Sequence, residues 1–320
     1  MTNFTVYSDP EEIKLVERFR KEKQHEEYKY LHLMEDILKN GVEKSDRTGT
    51  GTKSIFGTSL KFDLTKSFPI LTTKKVFWKG VVEELLWMIR GDTNSKNLEE
   101  EGVNIWKGNT SREFLDKKGL NYPEGEIGPG YGWQWRSWGK YYNPSENEND
   151  ICINRVVDNI GVDQLQQVVD QLKSNPNDRR MIVSAWHTSQ LDMMALPPCH
   201  LLQQYYVENN KLHLSWYQRS NDFFLGSAFN ISSYALLTCL IAKIVGMEPG
   251  SITYFAADTH LYLNHLDQAK EQISRTPYPF PQLNIKKDIK SLKDVENLSF
   301  EDSELIDYKS HPTIKAPMAV

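Results

Sequence analysis

The sequence predicts a single domain of the α+β class. Residues 229–245 form an almost uninterrupted apolar run of helical length, which is typical of a helix buried on nearly all sides. Two β-like segments, 201–207 and 212–217, flank Asn209 and Asn210, and asparagine tolerates the positive φ of a tight hairpin turn. No internal repeat or linker divides the 320 residues, so these helices and strands are expected to share one core.

The other elements follow from the spacing of apolar residues. Tyr30, Met34 and Ile37 recur at helical intervals and predict a helix that ends near Gly41. Further helices are predicted over 81–90 and 164–173, and strands over 54–62, 181–186 and 252–255. The charged residues 1–25 are predicted to form an N-terminal extension, which leaves 26–320 as the body of the domain.

Composition limits the classes of protein. Apolar residues make up 39% and charged residues 25%, which suits a folded domain, and the net charge of −5 argues against a general nucleic-acid-binding surface. Cys152, Cys199 and Cys239 include no CxxC pair, so neither a disulfide framework nor a metal site is expected. No signal-peptide core or membrane-spanning run is expected, and the predicted location is the cytoplasm, or the host cytoplasm if the protein is viral.

Cys199 is the candidate nucleophile. It follows Pro197 and Pro198, which can hold a backbone break, and it precedes His200. A thiol attacks as its thiolate, and nearby cations and hydrogen-bond donors favour that form. A small buried cysteine is the alternative, and the polar run 218–222 is what favours the catalytic interpretation.

Glu84 is the candidate proton carrier. On a helical projection of residues 81–90 it lies between Trp87 and Met88, on the apolar flank, whereas Glu83 falls on the polar face. A carboxylate in apolar surroundings has a raised pKa, which suits proton transfer near neutral pH. An exposed glutamate at the rim of the helix is the alternative.

Arginines at loop and strand ends predict a phosphate pocket. They are Arg47, Arg179, Arg180 and Arg219, with Ser220 beside the last of them. Neighbouring side chains at the start of a strand point to opposite faces, so one chain would rarely aim both Arg179 and Arg180 at one group. A partner chain can orient one of them toward a dianionic phosphate, and an ordinary solvated pair is the alternative.

Three polar side chains are candidates for reading a nucleoside. Asn230, at the start of the apolar helix, can donate and accept, so it can match a pyrimidine edge or cap the helix. His260 and Tyr262 follow the strand predicted over 252–255 and can bond a sugar hydroxyl or lie satisfied in the core. The aromatic cluster 131–138 is expected mainly in the core.

A series of separated segments completes the pattern. They are 46–52, 84–87, 131–136, 179–180, 198–200, 218–222, 229–230, 258–262 and the terminal 315–320. In this order they closely resemble the thymidylate synthase family, from about residue 26 to the end. The resemblance implies a large mixed β-sheet packed by helices around the long buried helix, and a homodimer joined sheet to sheet.

The resemblance also implies a reaction. The family converts dUMP to dTMP by reductive methylation, with 5,10-methylenetetrahydrofolate as one-carbon and hydride donor and dihydrofolate as the by-product. The implied catalytic residues are Cys199, Glu84, Tyr131, Arg219, Asp222 and His200. Cys199 would add to C6 of the pyrimidine, while Glu84 and Tyr131 would assist removal of the proton from C5.

Binding residues are carried over in the same way. The implied dUMP ligands are Arg47, Arg179, Arg180, Gln218, Arg219, Ser220, Asn230, His260 and Tyr262. The implied folate ligands are Lys74, Trp106, Asn109, Asp222, Gly226 and Ala319, on a tail that ends at Val320 and would close over both ligands. Arg179 and Arg180 would come from the second subunit, and no metal, membrane or nucleic acid is required.

Some residues depart from the family pattern, and two alternatives stay open. The departures are Lys107 for Asp, Gly130 for Val, Ala228 for Pro, and Ala256 and Ala257 for Gly. They keep open a dUMP hydroxymethylase on the same fold, in which water captures the one-carbon unit, although Trp106 and Val320 favour hydride transfer. A non-catalytic nucleotide- or RNA-binding relative would lack Cys199, Asn230 or Glu84, and all three are present.

Overall fold

The structure is a computed structural model that describes residues 25–143 and 161–318. Its strands are β1 (Val42–Lys44), β2 (Thr52–Asp63), β3 (Ile182–Ser184), β4 (His200–Glu208), β5 (Lys211–Asp222), β6 (Glu248–Tyr262), β7 (Gln282–Ile285) and β8 (Ser303–Ile306). Its α-helices are α1 (Glu27–Asn40), α2 (Trp78–Ile89), α3 (Lys96–Glu100), α4 (Arg112–Lys118), α5 (Gly132–Ser137), α6 (Gln164–Ser174), α7 (Gly226–Val245), α8 (Leu266–Ile273) and α9 (Leu292–Glu296). Nearly all of the predicted N-terminal extension, together with Cys152, Ala319 and Val320, lies outside the described residues.

Six strands form one mixed sheet in the order β1-β2-β6-β5-β4-β3, as expected for this fold class. The predicted hairpin is present: β4 and β5 pair antiparallel, and Asn209 and Asn210 both have positive φ, 49° and 60°. β5 and β6 run parallel, so their carboxyl ends reach the same edge of the sheet. This parallel pairing sets Asp222 opposite His260.

Helix α7 packs against β5 and β6 and is the long buried helix of the core. Its length and hydropathy would also suit a membrane span, so the expectation that no run approaches one was wrong. However, 67% of its most apolar window is buried inside the fold, which accounts for the composition of a core helix. The helix begins at Gly226, so Asn230 lies inside it and is not its N-cap.

Two predictions about the strands need correction. β6 pairs along its length with β2 and continues to Tyr262, which lies opposite Thr52. His260 and Tyr262 therefore lie within the strand and do not follow it. The second correction is that β7 and β8, which form a separate two-stranded sheet, were not predicted from the sequence. Both features depend on pairing between distant segments, which local spacing does not reveal.

One face of the large sheet carries exposed aromatic side chains. Tyr217 on β5 pairs with Phe255 on β6, and His213 on β5 pairs with Tyr206 on β4. Tyr217 and His213 are an even number of residues apart on β5, so these two pairs lie on the same face of the sheet. The exposed fractions are 61% for Tyr206, 47% for Phe255 and 40% for Tyr217. An apolar patch of this kind is typical of a surface that another protein covers.

Candidate active site

Two sequence motifs meet at Cys199. The residue lies directly before β4, and its carbonyl accepts a 2.9 Å hydrogen bond from the backbone N–H of Arg219. Because β5 pairs with β4, the polar run at the end of β5 is brought against the segment Pro197–Cys199. The cysteine and the polar run therefore share one site.

Arg219 supplies the cation beside the thiol. Its Nε donates to the carbonyl of Pro198 at 2.9 Å, and its Nη2 donates to that of Pro197 at 2.8 Å. These two bonds hold the guanidinium with Nη2 4.0 Å from Sγ of Cys199. The guanidinium also lies over the ring of Trp186, 5.6 Å from its centroid.

The thiol of Cys199 is only partly accessible. Burial raises its pKa, while the charge of Arg219 and a hydrogen bond from Tyr131 act in the opposite direction. The sequence predicted that nearby cations and hydrogen-bond donors favour the thiolate. The predicted cation is present, but desolvation by burial outweighs it.

Tyr131 connects Cys199 to the rest of the site. Its hydroxyl accepts a 3.0 Å hydrogen bond from the backbone N–H of Cys199, and burial raises the pKa of the phenol well above its usual value. Its backbone has φ 42° and ψ −108°, a region that non-glycine residues rarely occupy. At the next residue, a Cβ on Gly132 would lie 2.2 Å from the Met88 carbonyl oxygen, so glycine permits α5 to approach α2 closely.

Glu84 lies next to Trp106, whose Nε1 donates to Oε1 at 2.8 Å. Burial raises the pKa of Glu84 to about 7, as its apolar flank predicted, although part of the side chain stays accessible. The ring of Trp106 contacts that of Tyr131 edge to face, at 5.4 Å between centroids. A continuous series of contacts therefore runs from Glu84 to Cys199.

Glu83 does not lie on a polar face, contrary to the prediction. It is buried, and its Oε1 accepts a 2.8 Å hydrogen bond from the backbone N–H of Phe300. Phe300 is 217 residues away in sequence, so the partner that permits this burial could not be read from the helix itself.

His200 is a neutral residue of the site. Burial lowers its pKa to about 4, and Nδ1 lies 2.8 Å from the hydroxyl of Tyr234. Its ring packs against that of Tyr131, with 4.7 Å between centroids. A neutral imidazole adds no charge to hold a thiolate, so any role it has is in hydrogen bonding or packing.

Asn230 lies one turn inside α7 and faces the end of β5. Its Nδ2 donates to Oε1 of Gln218 at 3.1 Å, and Gln218 donates in turn to the carbonyl of Ser220 and to Oδ1 of Asn221. Fixing the amide in this way leaves Oδ1 and the second Nδ2 hydrogen available to a ligand. That donor and acceptor pair matches the edge of uracil.

Asp222 ends β5 and caps the turn into α7. Its Oδ1 accepts hydrogen bonds from the backbone N–H groups of Phe224 and Leu225, at 3.1 and 3.0 Å. Within the described residues Oδ2 accepts no hydrogen bond. This oxygen is therefore available to the N–H groups of a ligand ring.

Lys74 has a different place from the one implied for it. Its ammonium is buried, donates to the carbonyl of Phe224 and lies 3.7 Å from the centroid of that ring. Burial lowers its pKa to about 7. Lys74 thus supports the β5–α7 turn, and the expected contact with the anionic tail of folate does not fit this position.

His260 and Tyr262 lie on β6 beside the end of β5. Nδ1 of His260 lies 3.0 Å from Oδ1 of Asp258, and its ring meets that of Tyr262 edge to face at 5.3 Å. Burial raises the pKa of Tyr262 to about 12, so its hydroxyl stays protonated. Both side chains can hydrogen-bond a sugar.

The four candidate phosphate arginines fall into two groups. Arg219 and Arg47 both lie close enough to Cys199 for their charges to act to lower the pKa of its thiol, and Arg47 also lines a cavity of about 510 Å³ together with Ser111, Lys117 and Lys118. Arg179 and Arg180 are exposed ahead of the edge strand β3, and the Arg180 guanidinium pairs at 2.9 Å with Asp178.

A family model described as thymidylate synthase matches residues 28–320. The chain belongs to the thymidylate synthase family. Human thymidylate synthase is 49% identical over 297 residues, which cover 92% of this chain and 91% of the human protein. These matches confirm the resemblance found in the sequence, and they confirm that the family is one of methyltransferases.

Other relatives are longer than the chain. The bifunctional dihydrofolate reductase-thymidylate synthase of Zea mays is 49% identical over 92% of this chain but 55% of its own length. The corresponding protein of Paramecium tetraurelia is 49% identical over 93% of this chain and 62% of its own length. The chain thus spans little more than half the length of these bifunctional relatives.

The departures from the thymidylate synthase pattern fall into two groups. Lys107, in the turn Lys107–Thr110, has 63% of its side chain exposed and pairs with Glu99 at 3.4 Å, so its charge is already partnered. The other departures are all buried: Gly130, Ala228, Ala256 and Ala257. They alter packing and remove none of the polar groups described above.

The remaining implied folate ligands are placed only in part. Asn109 lies in the turn after Trp106, and Gly226 begins α7, where an added Cβ would meet only Asp222 at 3.7 Å. Ala319 lies outside the described residues. Two residues of the site were not predicted from the sequence: Trp186, which lies under Arg219, and Tyr234, which hydrogen-bonds His200. Each belongs to an apolar segment and contacts its partner across the fold.

Proposed function

We propose that this member of the thymidylate synthase family is a methyltransferase that converts dUMP to dTMP with 5,10-methylenetetrahydrofolate. The observation that carries the proposal is the geometry at Cys199. A thiol lies 4.0 Å from a guanidinium whose orientation is fixed by two proline carbonyls, within a site that also presents a free amide edge at Asn230. These groups suit nucleophilic attack on a uracil nucleotide.

In the proposed first step Sγ of Cys199 forms a bond to C6 of uracil. The electron pair of the C5=C6 bond then moves toward C5 and O4, and negative charge develops on O4. Asn230 can donate to O4 through its second Nδ2 hydrogen while its Oδ1 accepts from N3–H. Arg219 lowers the cost of forming the thiolate, which burial would otherwise disfavour.

Removal of the proton from C5 is assigned to Glu84. With its pKa raised to about 7, the carboxyl exists in both protonation states near neutral pH and can take up and release a proton. Trp106 donates to Oε1 and holds the carboxylate in place, while Oε2 stays available to an ordered water. Tyr131 lies between Trp106 and Cys199 and carries a protonated hydroxyl into the same region.

The residues present fit a folate ligand. The free Oδ2 of Asp222 can accept from the N–H groups of a pterin, and Trp106 offers an aromatic wall. The folate would supply the one-carbon unit and the hydride. The protein's own contribution is to bind both molecules side by side and to exclude water between them.

The test is an assay of the protein with dUMP and methylenetetrahydrofolate. We expect dihydrofolate, followed by its absorbance, to form one-for-one with dTMP, identified by mass. Hydroxymethyl-dUMP with tetrahydrofolate and no absorbance rise would instead establish the hydroxymethylase. No change in either substrate, in a protein that binds dUMP, would support a non-catalytic relative.

The proposed enzyme is a homodimer joined through the exposed aromatic face of the sheet. Tyr206, Tyr217 and Phe255 lie on that face, and the edge strand β3 adds the exposed Ile182. Arg179 and Arg180 lie within three residues of the start of β3, so a partner on this face would lie next to them. This arrangement supports the assignment of both arginines to the partner's phosphate site.

Mixing two inactive variants tests the shared site. After subunit exchange of Cys199→Ala with Arg179→Ala, half of the dimers are mixed and half of their sites are intact, so about one quarter of wild-type activity is expected. The matched control mixes Cys199→Ala with Arg47→Ala in place of Arg179→Ala. Arg47 is assigned to the same chain as the Cys199 of its site. That mixture should recover nothing, because neither site of a mixed dimer is complete. Equal recovery in both mixtures, or none in the first with mixed dimers confirmed, contradicts the sharing.

A further inference from the structure

His265 is a buried histidine outside the residues assigned above. It ends the turn Leu263–His265, directly after β6, and is fully buried. Its Nε2 lies 2.7 Å from the carbonyl oxygen of Pro317. A carbonyl only accepts, so Nε2 carries the hydrogen and donates it.

The other ring nitrogen of His265, Nδ1, is in a different situation. Nδ1 is buried and makes no hydrogen bond within the described part of the chain. An unpaired buried polar atom destabilises the folded state, and a phenylalanine would fill similar space without that cost. The contact with Pro317 is therefore the feature that an imidazole provides and a purely apolar ring would not.

The bond to Pro317 fixes the last part of the described chain. Earlier in this segment the backbone N–H of His311 donates to the Thr72 carbonyl, and Arg275 donates to that of Pro312. Within the described residues, the bond from His265 is the only hydrogen bond made by the segment 313–318, which follows Pro312. Without it, the end of this segment would be held only by apolar contacts such as those of the buried Ile314.

The same imidazole contacts two residues of the active site. Its ring centroid lies 5.6 Å from that of Tyr262 and 5.6 Å from that of Phe224. Tyr262 is on the sugar side of the site, and Phe224 donates its N–H to Asp222 on the folate side. One buried ring thus touches the C-terminal segment and both ligand-binding sides.

We propose that His265 is a positioning residue that ties the C-terminal segment, at Pro317, to the floor of the active site. By fixing Pro317, it holds the segment 313–318 next to the ring that contacts Tyr262 and Phe224, and so affects how well water is kept from the one-carbon unit. The inference rests on the proposed function, since the expected kinetic effect is on the folate substrate.

Three substitutions in the full-length protein test the role. His265→Phe keeps a ring of similar size and removes the donor. His265→Gln places an amide N–H at about the reach of Nε2, whereas the shorter amide of His265→Asn ends at the level of Nδ1. We expect the Phe and Asn variants to raise the KM for folate about tenfold and leave the KM for dUMP within about twofold, with the Gln variant close to wild type. The Phe and Asn variants should also divert part of the product to hydroxymethyl-dUMP.

Limited proteolysis in the absence of substrates gives an independent result. Trypsin cleavage after Lys315 should be about tenfold faster in the Phe and Asn variants, and at the wild-type rate in the Gln variant. Wild-type cleavage and folate KM in His265→Phe would overturn the proposal, as would identical behaviour of the Gln and Asn variants. Faster cleavage in a protein without synthase activity would leave the tie to Pro317 standing and reject the proposed function alone.

Discussion

Replacing Cys199 with alanine or serine is expected to lower kcat about 10⁴-fold or more while dUMP binding persists. Alanine has no nucleophile. A serine hydroxyl is far less acidic than a thiol, and the burial that already raises the pKa of the thiol would disfavour an alkoxide more strongly. Binding should survive because Asn230 and Gln218 do not depend on Sγ for their hydrogen bonds. Turnover is measured by dTMP formation, and binding by calorimetry with dUMP.

Cys239 provides the matched control. It lies in α7, 40 residues from Cys199 in sequence, and burial raises its pKa to about 12, so it is chemically inert at neutral pH. Cys239→Ser should retain nearly full activity. Appreciable turnover in Cys199→Ser, with the control intact, would remove the covalent step from the mechanism.

Glu84→Gln is expected to lower kcat about 10²- to 10⁴-fold and to make the protein more stable at alkaline pH. The amide cannot exchange a proton, but its oxygen can still accept from Trp106, so folate-side packing should persist. The carboxyl has a pKa of about 7 in the folded protein and 4.5 in its ordinary state. Between those values the folded state binds more protons, so stability falls as pH rises through this window.

The size of the stability change follows from the same shift. Above pH 7 the wild-type protein carries the full cost of the buried charge, at most about 3 kcal/mol, which glutamine removes. Denaturant unfolding should therefore show little difference between variant and wild type near pH 4.5, and a more stable variant at pH 8. A difference that does not change with pH would contradict the buried, titrating carboxyl.

Glu83→Gln is the control for the kcat readout of Glu84. The neighbouring carboxyl is also buried, but it accepts its hydrogen bond from the Phe300 backbone, whereas Trp106 donates to Glu84. Its substitution should leave kcat within about threefold of wild type. A loss equal to that of Glu84→Gln would indicate that the helix, rather than one carboxylate, is what the reaction requires.

The sequence by itself determined the features that depend on local chemistry. The apolar run of α7 required burial, the paired asparagines required a hairpin, and the apolar flank of Glu84 required a raised pKa. The ordered motifs gave the family, which the match over residues 28–320 confirmed. Each of these inferences needs only near neighbours or the order of segments along the chain.

Only the tertiary structure decided which groups are buried together. Lys74 lies beneath Phe224, Glu83 meets Phe300, and His265 holds Pro317, pairs separated by 150, 217 and 52 residues. Helical or strand periodicity cannot predict such partners, because a polar side chain is buried only where a distant segment satisfies its hydrogen bonds. For the same reason the pKa of Cys199 required the fold: the sequence predicted the cation, and the packing around the thiol determined that desolvation outweighs it.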